Sequence, residues 1–178
     1  MRIRTYRPGD IPALAQVQQS AARVDGLEVM DEAAFTQLIA QAASRYSDNI
    51  FLITDDDDEM NVWGQGETLE GIEGEVVGYT ILYGYKDQRA YHFRSTGTVL
   101  PEYRQQGAGH ALLLCAINHA RIQALDISTD AHQQGLPMLF EVELPASDPV
   151  AEYLASAFEL EPGDEKAQPG LRVYQTEL

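Results

Sequence analysis

The sequence has little cysteine, no long apolar run and few basic residues, and each shortage excludes a class of protein. Its 178 residues include one cysteine, so no disulfide can form within the chain and a cytoplasmic protein is expected. No apolar run approaches the roughly 18 residues that cross a membrane. The N-terminal segment is basic, but no apolar stretch follows it, which argues against a secretory signal. The cysteine, Cys115, follows three leucines in a helical pattern and is predicted to be buried and unreactive.

Basic residues are outnumbered, because 12 Lys and Arg stand against 28 Asp and Glu and give a formal net charge of −16. Nucleic acid requires a basic surface and is therefore not an expected partner. Residues 55–75 and 126–165 contain no Lys or Arg, whereas residues 86–121 carry five basic residues against two acidic ones. This basic segment predicts a bound anion. For the acidic remainder, a surface that only keeps the protein soluble is the alternative.

Hydrophobic periodicity and turn residues predict one mixed α/β domain over residues 1–178. The predicted strands lie near residues 2–7, 49–54, 76–85, 90–100, 138–144, 158–161 and 171–175, and the predicted helices near 10–23, 31–45, 107–124 and 149–157. Asp10 and Asp148 are the predicted N-caps of the first and last helices. Residues 125–134 either prolong the third helix or form a loop, and residues 55–75 form a long loop or an irregular hairpin.

The segment from Thr98 to Leu113 carries the clearest functional signal, because a strand leads into a glycine turn and directly into a helix. Gly107 and Gly109 lack side chains where a backbone must approach a ligand and adopt unusual angles. The amides of the first helical turn have no intrahelical partner, and the positive end of the helix dipole lies behind them. Such a turn can hold a pyrophosphate. A glycine turn that only close packing requires is the alternative.

This segment resembles the signature of the GCN5-related N-acetyltransferase (GNAT) superfamily. Arg104 to Gly109 satisfies the family pattern Gln/Arg-x-x-Gly-x-Gly/Ala, and Val99 to Arg104 satisfies its usual flank, Val-x-Pro-x-Tyr-Arg. Val76 to Tyr79 resembles the Val-Gly-Tyr stretch of the family's third strand. The order of predicted elements is also the family's. The resemblance therefore covers nearly the whole chain and implies a mixed, mostly antiparallel central sheet with helices on both faces.

The resemblance implies acetyl-CoA as a co-substrate that is bound mostly by main chain. Amides from Gln105 to His110 would cradle the pyrophosphate of coenzyme A. The backbone of Gly97 to Val99 would pair with the pantetheine arm like an added strand, and the N–H near Val99 would polarise the thioester carbonyl. No metal is implied. The implied cofactor-binding residues are Gly97, Thr98, Val99, Arg104, Gln105, Gln106, Gly107, Ala108, Gly109 and His110.

The last helix of family members commonly carries a tyrosine five residues before the Phe of a Gly-Phe pair, and its hydroxyl protonates the leaving thiolate. Tyr153 has this spacing from Phe158, although Ala157 replaces the glycine and no asparagine opens the helix. The resemblance thus implies that Tyr153 is catalytic. A half-buried tyrosine that packs beside Leu154 is the alternative.

The resemblance does not identify a general base. The positions where family members often carry Glu or His are Ser95 and Phe93 here, and neither side chain can serve. His92 is predicted on the opposite face of that strand, which makes it a weaker candidate, and Glu141 and Glu143 on the next strand are others. A water chain, or an acceptor amine of low pKa, would make a protein base unnecessary.

Acceptor specificity in the family comes largely from the first two helices and their connection. Four acids lie there in this sequence: Asp25, Glu28, Asp31 and Glu32. They predict a cationic acceptor, either a small polyamine-like or aminoglycoside-like molecule or a peptide amino group. Acids that only solvate the helix ends are the alternative.

The function expected from the resemblance is a cytoplasmic, acetyl-CoA-dependent N-acetyltransferase that transfers acetyl directly to an amine in a ternary complex. A GNAT-like module that binds coenzyme A without catalysis is the second hypothesis. A protein for another phosphate ligand is the third, but the sequence lacks the Lys-Ser/Thr of a P-loop and the second half of a dinucleotide site. The acceptor, the acyl chain length and the oligomeric state, a homodimer included, stay open.

Overall fold

The computed structural model describes residues 1–43, 49–55, 74–163 and 169–178. Two 3₁₀ turns, Pro8–Asp10 and Pro101–Tyr103, precede the first and third helices. The elements in chain order are β1 Arg2–Thr5, α1 Ile11–Asp25, α2 Glu32–Ala43, β2 Ile50–Asp55, β3 Glu75–Lys86, β4 Tyr91–Val99, α3 Ala108–Gln134, β5 Met138–Pro145, α4 Pro149–Ala157, β6 Glu161–Pro162 and β7 Leu171–Glu177.

The strands form one sheet in the order β1-β2-β3-β4-β5-β7-β6. β4 and β5 pair in parallel, and all other neighbours in this sheet pair antiparallel. The predicted mixed, mostly antiparallel sheet and the predicted order of elements are both confirmed. Among the strands in the described ranges, this parallel pair is the one place where two neighbours point their carboxyl ends in the same direction.

Helices cover both faces of the sheet. Tyr79 of β3 packs edge-on against Phe35 of α2, with ring centroids 5.5 Å apart. Leu82 of the same strand lies in a buried cluster with Ile117 of α3 and Ala155 of α4. Because side chains alternate along a strand, Tyr79 and Leu82 point to opposite faces. α1 packs on α2, so α1 and α2 lie on one face, and α3 and α4 lie on the other, as expected.

The third helix includes the residues that the sequence left undecided, since it runs without a break for 27 residues to Gln134. Its last turns are fixed to the β3–β4 hairpin: Ala131 is buried, Tyr91 donates a hydrogen bond to Asp130, and Lys86 donates one to Gln134. Gly135, with φ +64°, ends the helix. Cys115 on the same helix is half-buried rather than fully buried, and burial raises the pKa of its thiol.

Asp10 is the N-cap residue of α1, as predicted, but its side chain makes no capping hydrogen bond to the helix. Asp10 occupies the position before α1, but its carboxylate accepts hydrogen bonds from the Arg7 amide at 2.7 Å and the Arg4 guanidinium at 2.6 and 2.7 Å, not from the helix. Asp148, by contrast, caps α4 as predicted, because Oδ1 accepts from the Val150 amide at 2.9 Å.

The last pair of strands is shorter than predicted at its start. The turn after α4 includes Glu159 at φ +55°, so β6 begins only at Glu161. Two other predictions fall partly outside the described residues: the end of the second helix beyond residue 43, and the loop or hairpin over residues 56–73.

Gly97 provides a test of the sheet geometry. A Cβ at this position would overlap the carbonyl oxygen of Tyr79 on β3 and lie 2.8 Å from the Cα of Thr80. Neither backbone atom can move without disturbing the sheet, so Gly97→Ala should lower the free energy of unfolding by at least about 1–3 kcal/mol in urea denaturation. Gly9→Ala is the matched control, since no described atom lies within 4 Å of its Cβ. Equal stabilities of the two variants would contradict this geometry.

Candidate active site

The turn between β4 and α3 contains two residues with left-handed backbone, Gln105 at φ +60° and Gly107 at φ +88°. The first hydrogen bond that closes a turn of α3 runs from the Ala111 amide to the Gly107 carbonyl, at 3.0 Å. The amides just before Ala111 therefore have no carbonyl one turn earlier in the helix, and they lie at the positive end of its dipole. This main-chain geometry suits an anion.

Open space lies in front of this turn. No described atom would lie within 4 Å of a Cβ at Gly107, and a Cβ at Gly109 would make only an ordinary contact, 4.0 Å from Cδ2 of Leu154. Close packing, the alternative explanation for the glycines, therefore accounts for neither. The left-handed backbone favours glycine at position 107. We call this space, beside the backbone of residues 105–110, the cradle; unpaired amides at the start of α3 are donors that suit an anion such as a pyrophosphate.

An opening in the sheet lies beside the cradle. The parallel pairing of β4 and β5 runs from Tyr91–Met138 to Ser95–Val142. β4 continues to Val99 and β5 to Pro145, and these last residues, all within the described part of the chain, are not paired with each other. We call the opening between residues 96–99 and 143–145 the fork. β3 pairs with the other edge of β4 as far as Val99, so the edge of Gly97, Thr98 and Val99 that β5 leaves unpaired faces the fork. The carbonyl of Val99 accepts a hydrogen bond from Nε of Arg104 at 3.2 Å.

An open strand edge can bind an extended group through main-chain hydrogen bonds. Gly97, Thr98 and Val99 are the residues predicted to pair with the pantetheine arm. They lie along the fork, where an extended group could enter. The glycine at position 97 has a different explanation, because the close approach of β3 already requires it. The open edge of β4, rather than the lack of a side chain at Gly97, is the feature that fits coenzyme A.

Two of the five basic residues in segment 86–121 are paired with carboxylates. The terminal nitrogens of Arg104 lie 2.7 and 2.8 Å from the two carboxylate oxygens of Asp25. Nε of Arg94 donates to Oε2 of Glu141 at 2.9 Å, and Nη2 of the same guanidinium forms an ion pair with that oxygen at 2.8 Å. The expectation that this segment holds an anion by its net charge is therefore wrong for these two residues, because carboxylates from distant parts of the sequence neutralise them. An anion in the cradle would depend chiefly on main-chain amides.

A buried charged cluster lies on the α1/α2 face of the sheet and consists of Tyr85, His92, Arg94, Glu141 and Glu143. Glu141 at its centre has no exposed surface. Its Oε1 lies 2.8 Å from Nδ1 of His92, and its Oε2 accepts from Arg94 and, at 3.3 Å, from the hydroxyl of Tyr85. The ring of Tyr85 stacks on that of His92 with centroids 4.5 Å apart. Glu141 is thus committed to structural partners, and a buried pair of this kind is costly to break.

Glu143 differs from Glu141 in its position and its partners. It is the first residue of β5 beyond the last pair with β4, so it stands at the base of the fork. Its side chain is buried, and Nη1 of Arg94 lies 3.9 Å from Oε1, beyond hydrogen-bonding distance. Burial raises the pKa of Glu143; the charge of Arg94 opposes this and that of Glu141 adds to it. Burial and the Glu143 charge also raise the pKa of Tyr83 to about 12. A carboxyl group with a raised pKa beside an opening is a candidate general base.

The predicted face of His92 is confirmed. The register between β3 and β4 is unbroken from Gly78–Val99 to Lys86–Tyr91, so no bulge reverses the alternation. Phe93 packs into the α3/α4 cluster, and the hydroxyl of Ser95 bonds that of Thr80 at 2.8 Å. Sequence alternation could place His92, Glu141 and Glu143 on one face. It could not show that Glu141 is paired with His92 and that Glu143 stands at the fork.

Tyr153 lies on α4 with 75% of its surface exposed. This exposure does not match the alternative of a half-buried residue that packs beside Leu154. The helix stands next to the cradle, because Leu154 reaches towards Gly109 and the ring of Phe158 lies 4.7 Å from that of His110. Tyr153 thus belongs to the helix that borders the start of α3.

Two of the four acids around the connection between α1 and α2 have structural roles. Asp25 binds Arg104, and Oδ1 of Asp31 accepts from the Ala34 amide at 2.7 Å at the start of α2. Glu28 and Glu32 are exposed. Glu28 and Glu32 therefore stay available to attract a cationic acceptor, as predicted. For Asp31 the alternative applies, because its carboxylate serves the end of a helix.

In the described ranges, no group of three or more His, Cys, Asp or Glu side chains is arranged to hold a metal ion. None of the helices within those ranges has the length and apolar character needed to cross a membrane.

Comparisons with known proteins support the fold. No protein-family model matches the sequence, and no curated protein matches it significantly. The chain is nevertheless similar to solved structures: an N-acetyltransferase from Staphylococcus aureus Mu50 (14% identity, 99% of this chain and 97% of that one, TM-score 0.64) and a ribosomal-protein-alanine N-acetyltransferase from Brucella melitensis (16%, 100% of each chain, TM-score 0.61). It is also similar to PaiA N-acetyltransferase from Thermoplasma acidophilum in complex with coenzyme A (12%, 99% and 98%, TM-score 0.55).

The likeness extends over the whole chain at low sequence identity. It shows that the protein has the fold of the GNAT N-acetyltransferases, as the sequence resemblance implied.

The raised pKa of Glu143 predicts a pH-dependent cost in stability. A carboxyl group that holds its proton more tightly in the folded protein destabilises that state as pH rises from its unfolded pKa, about 4.3, through its higher folded pKa. Glu143→Gln lacks this loss, so it should be more stable than the wild type at pH 7 and equal to it near pH 4.

Urea denaturation across this pH range measures the difference. Glu28→Gln, which removes an exposed carboxylate, is the control and should not reproduce the gain in stability. A wild type as stable as Glu143→Gln at every pH would contradict the raised pKa.

Proposed function

We propose that this protein is an acetyl-CoA-dependent N-acetyltransferase that transfers acetyl directly to an amine in a ternary complex. The observation that carries the proposal is the cradle, an open left-handed turn at the start of α3 next to an unpaired strand edge. The similarity of the whole fold to N-acetyltransferases, one of them in complex with coenzyme A, supports it.

The chain binds coenzyme A mostly through main chain. Amides of Gln105, Gln106, Gly107, Ala108, Gly109 and His110 hold the pyrophosphate, and the open edge of Gly97, Thr98 and Val99 pairs with the pantetheine arm. The thioester supplies an activated acetyl group. The amide near Val99 then stabilises negative charge on the carbonyl oxygen. Arg104 contributes to coenzyme A binding through its main chain, because its side chain is bound to Asp25.

The acceptor amine approaches from the α1/α2 face, where Glu143 stands at the base of the fork. An amine with a lysine-like pKa near 10.4 costs roughly 4 to 5 kcal/mol to deprotonate at pH 7, and a peptide α-amine with a pKa near 7.7–8.0 costs about 1 kcal/mol. Glu143 accepts the proton that the attacking nitrogen loses. Because its pKa is raised, this carboxylate is a better match to that task than an ordinary exposed one.

The acceptor class that fits best is a cationic amine, and among these a peptide α-amine, because it demands least of a single base. Glu28 and Glu32 lie exposed at the connection between α1 and α2, where they attract positive charge. The similar Brucella protein is named for an alanine acceptor in a ribosomal protein. Small polyamine-like and aminoglycoside-like amines remain in the same class. The single cysteine supports a cytoplasmic site of action.

Tyr153 acts as the general acid that protonates the departing thiolate. Its place on α4, whose Leu154 and Phe158 lie against Gly109 and His110 at the start of α3, supports this role, and its side chain is largely exposed. Proton transfer of this kind contributes typically 10²–10⁴-fold to a rate.

A thiol-release assay with acetyl-CoA and a panel of peptide, polyamine, aminoglycoside and neutral amines tests the function. The proposal predicts release that cationic amines stimulate. Gly107→Glu places a carboxylate in the cradle and should weaken coenzyme A binding by about 10²–10⁴-fold, the loss of two charge-assisted hydrogen bonds. Gly135→Glu is the matched control, because its backbone is also left-handed and open, at the other end of α3.

Two results of that assay would contradict parts of the proposal. Tight binding of coenzyme A without stimulation by any amine would favour the alternative, a binding module without catalysis. Stimulation by neutral amines alone would remove the cationic acceptor.

Tyr153→Phe should lower kcat by about 10²-fold or more and leave the Kd for acetyl-CoA within about twofold, because only the proton donor is lost. Steady-state kinetics and calorimetry measure the two quantities. An unchanged kcat would remove Tyr153 from the mechanism.

A further inference from the structure

We propose that Glu141 is a positioning residue that holds the guanidinium of Arg94 away from Glu143, and so keeps Glu143 free to accept a proton. The inference rests on the proposed function, in which Glu143 is the general base. It gives Glu141, which is fully buried and which the proposed mechanism does not otherwise use, a role in the reaction.

Arg94 on β4 lies near two carboxylates of β5, and of these two only Glu141 binds it. Nε of Arg94 donates to Oε2 of Glu141 at 2.9 Å, and Nη2 forms an ion pair with the same oxygen at 2.8 Å. The third nitrogen, Nη1, lies 3.9 Å from Oε1 of Glu143, which is about 1 Å beyond a hydrogen bond. A small rotation of the guanidinium would therefore bring it into a hydrogen-bonded ion pair with Glu143.

Glu141 can resist that rotation because both of its carboxylate oxygens are engaged. Oε1 lies 2.8 Å from Nδ1 of His92, and Nε2 of His92 lies 3.3 Å from Oδ1 of Asp87. Asp87 accepts hydrogen bonds from two backbone amides of the β3–β4 turn, at 2.7 and 2.9 Å. The hydroxyl of Tyr85 donates to Oε2, and its ring stacks on that of His92. The β3–β4 hairpin thereby fixes Glu141, and Glu141 fixes Arg94.

The contact that Glu141 prevents would change the proton affinity of Glu143. In the described part of the chain, the charges that act on Glu143 are those of Arg94 and Glu141; Tyr83 faces it from β3, and the uncharged Val173 lies opposite it on β7. Burial now raises the pKa of Glu143. A hydrogen-bonded ion pair with Arg94 would lower that pKa, because an opposite charge and donated hydrogen bonds both favour the carboxylate. A carboxylate stabilised in this way is a weaker base for the proton of an amine.

A double-mutant cycle, measured by urea denaturation at several pH values, tests the inference without an acceptor or coenzyme A. In the wild-type background, Glu143→Gln should gain stability at pH 7, because it removes a carboxyl group with a raised pKa. Glu141→Gln keeps the length of the side chain and removes its charge, so Arg94 should turn to Glu143.

In the Glu141→Gln background the effect of Glu143→Gln should reverse its sign. Glu143→Gln should then lose stability at pH 7, because a carboxyl group with a lowered folded pKa contributes stability above its unfolded pKa. This contribution disappears as pH falls through the folded pKa, so the two proteins of that background should become equally stable in acid.

Carboxyl carbon-13 NMR of the folded protein measures the same change directly. The titration midpoint of Glu143 should lie above about 4.3, the value of a free glutamate, in the wild type and below it in Glu141→Gln. Glu141→Asp keeps the charge but draws the carboxylate back by one methylene group. It should shift the midpoint in the same direction by less, and it provides a folded alternative if Glu141→Gln is unstable.

Tyr85→Phe is the matched control, because it removes another donor to Oε2 of Glu141 without releasing Arg94, and it should leave the midpoint of Glu143 above about 4.3. A midpoint that does not fall in Glu141→Gln or Glu141→Asp, or a gain from Glu143→Gln that persists in the Glu141→Gln background, would overturn the positioning role. These results do not depend on coenzyme A, so the inference can fail while thiol release succeeds. Failure of the wild type to bind coenzyme A would instead remove the proposed function, whatever the midpoints are.

Discussion

The divergence of β4 from β5 after Ser95 and Val142 is the feature around which the site is arranged. Parallel strands normally satisfy each other's main-chain groups along their whole shared length, and an unpaired edge is a liability unless water or a ligand binds it. Here the edge that β5 leaves unpaired is followed along the chain by the turn at the start of α3, where open space surrounds the Cα of Gly107. One length of backbone from Gly97 to His110 therefore offers a strand edge and an anion cradle in succession, which is the arrangement that a molecule with an extended arm and a pyrophosphate requires.

The fork also separates the two sides of the proposed reaction. The cradle opens at the start of α3, beside α4, whereas the charged cluster faces the side that α1 and α2 cover. Glu143 lies where these two sides meet. The burial that raises its pKa costs stability, and Glu143 lacks close partners such as the His92 and Arg94 side chains that bind Glu141. Charged groups kept at such a cost are often functional. The carboxylate of Glu141 is instead held by Nε of Arg94 and by the contact with Nδ1 of His92.

Much of the fold and the local backbone of the candidate site can be predicted from the sequence alone. Hydrophobic periodicity predicts the order of the elements. A strand followed by two glycines and a helix start predicts the cradle, because a main-chain site depends on local backbone conformation and glycines mark that conformation in the sequence. Features that depend on distant partners were not accessible. The last turns of α3 are stabilised by Tyr91 and Lys86 on the β3–β4 hairpin, while exposed Leu125 weakens the helical pattern at that point. Asp10 looked like a helix cap, yet Arg4 and the Arg7 amide engage its carboxylate.

The net charge of a sequence segment predicts an anion site poorly, because a count of charges along the sequence does not show which cations are paired with carboxylates in the fold. Arg94 and Arg104 gave the basic segment much of its excess, and both are bound to carboxylates. The feature of the cradle that suits an anion is the set of unpaired amides at the start of α3, which no net-charge argument can detect.

A crystal structure of the protein with coenzyme A tests the central claim most directly. The account predicts pyrophosphate oxygens within about 3 Å of the amides around Gly107 to His110, with the pantetheine arm in the fork along Gly97 to Val99. A pyrophosphate bound at any other place on the molecule, or an arm that leaves the fork empty, would contradict it.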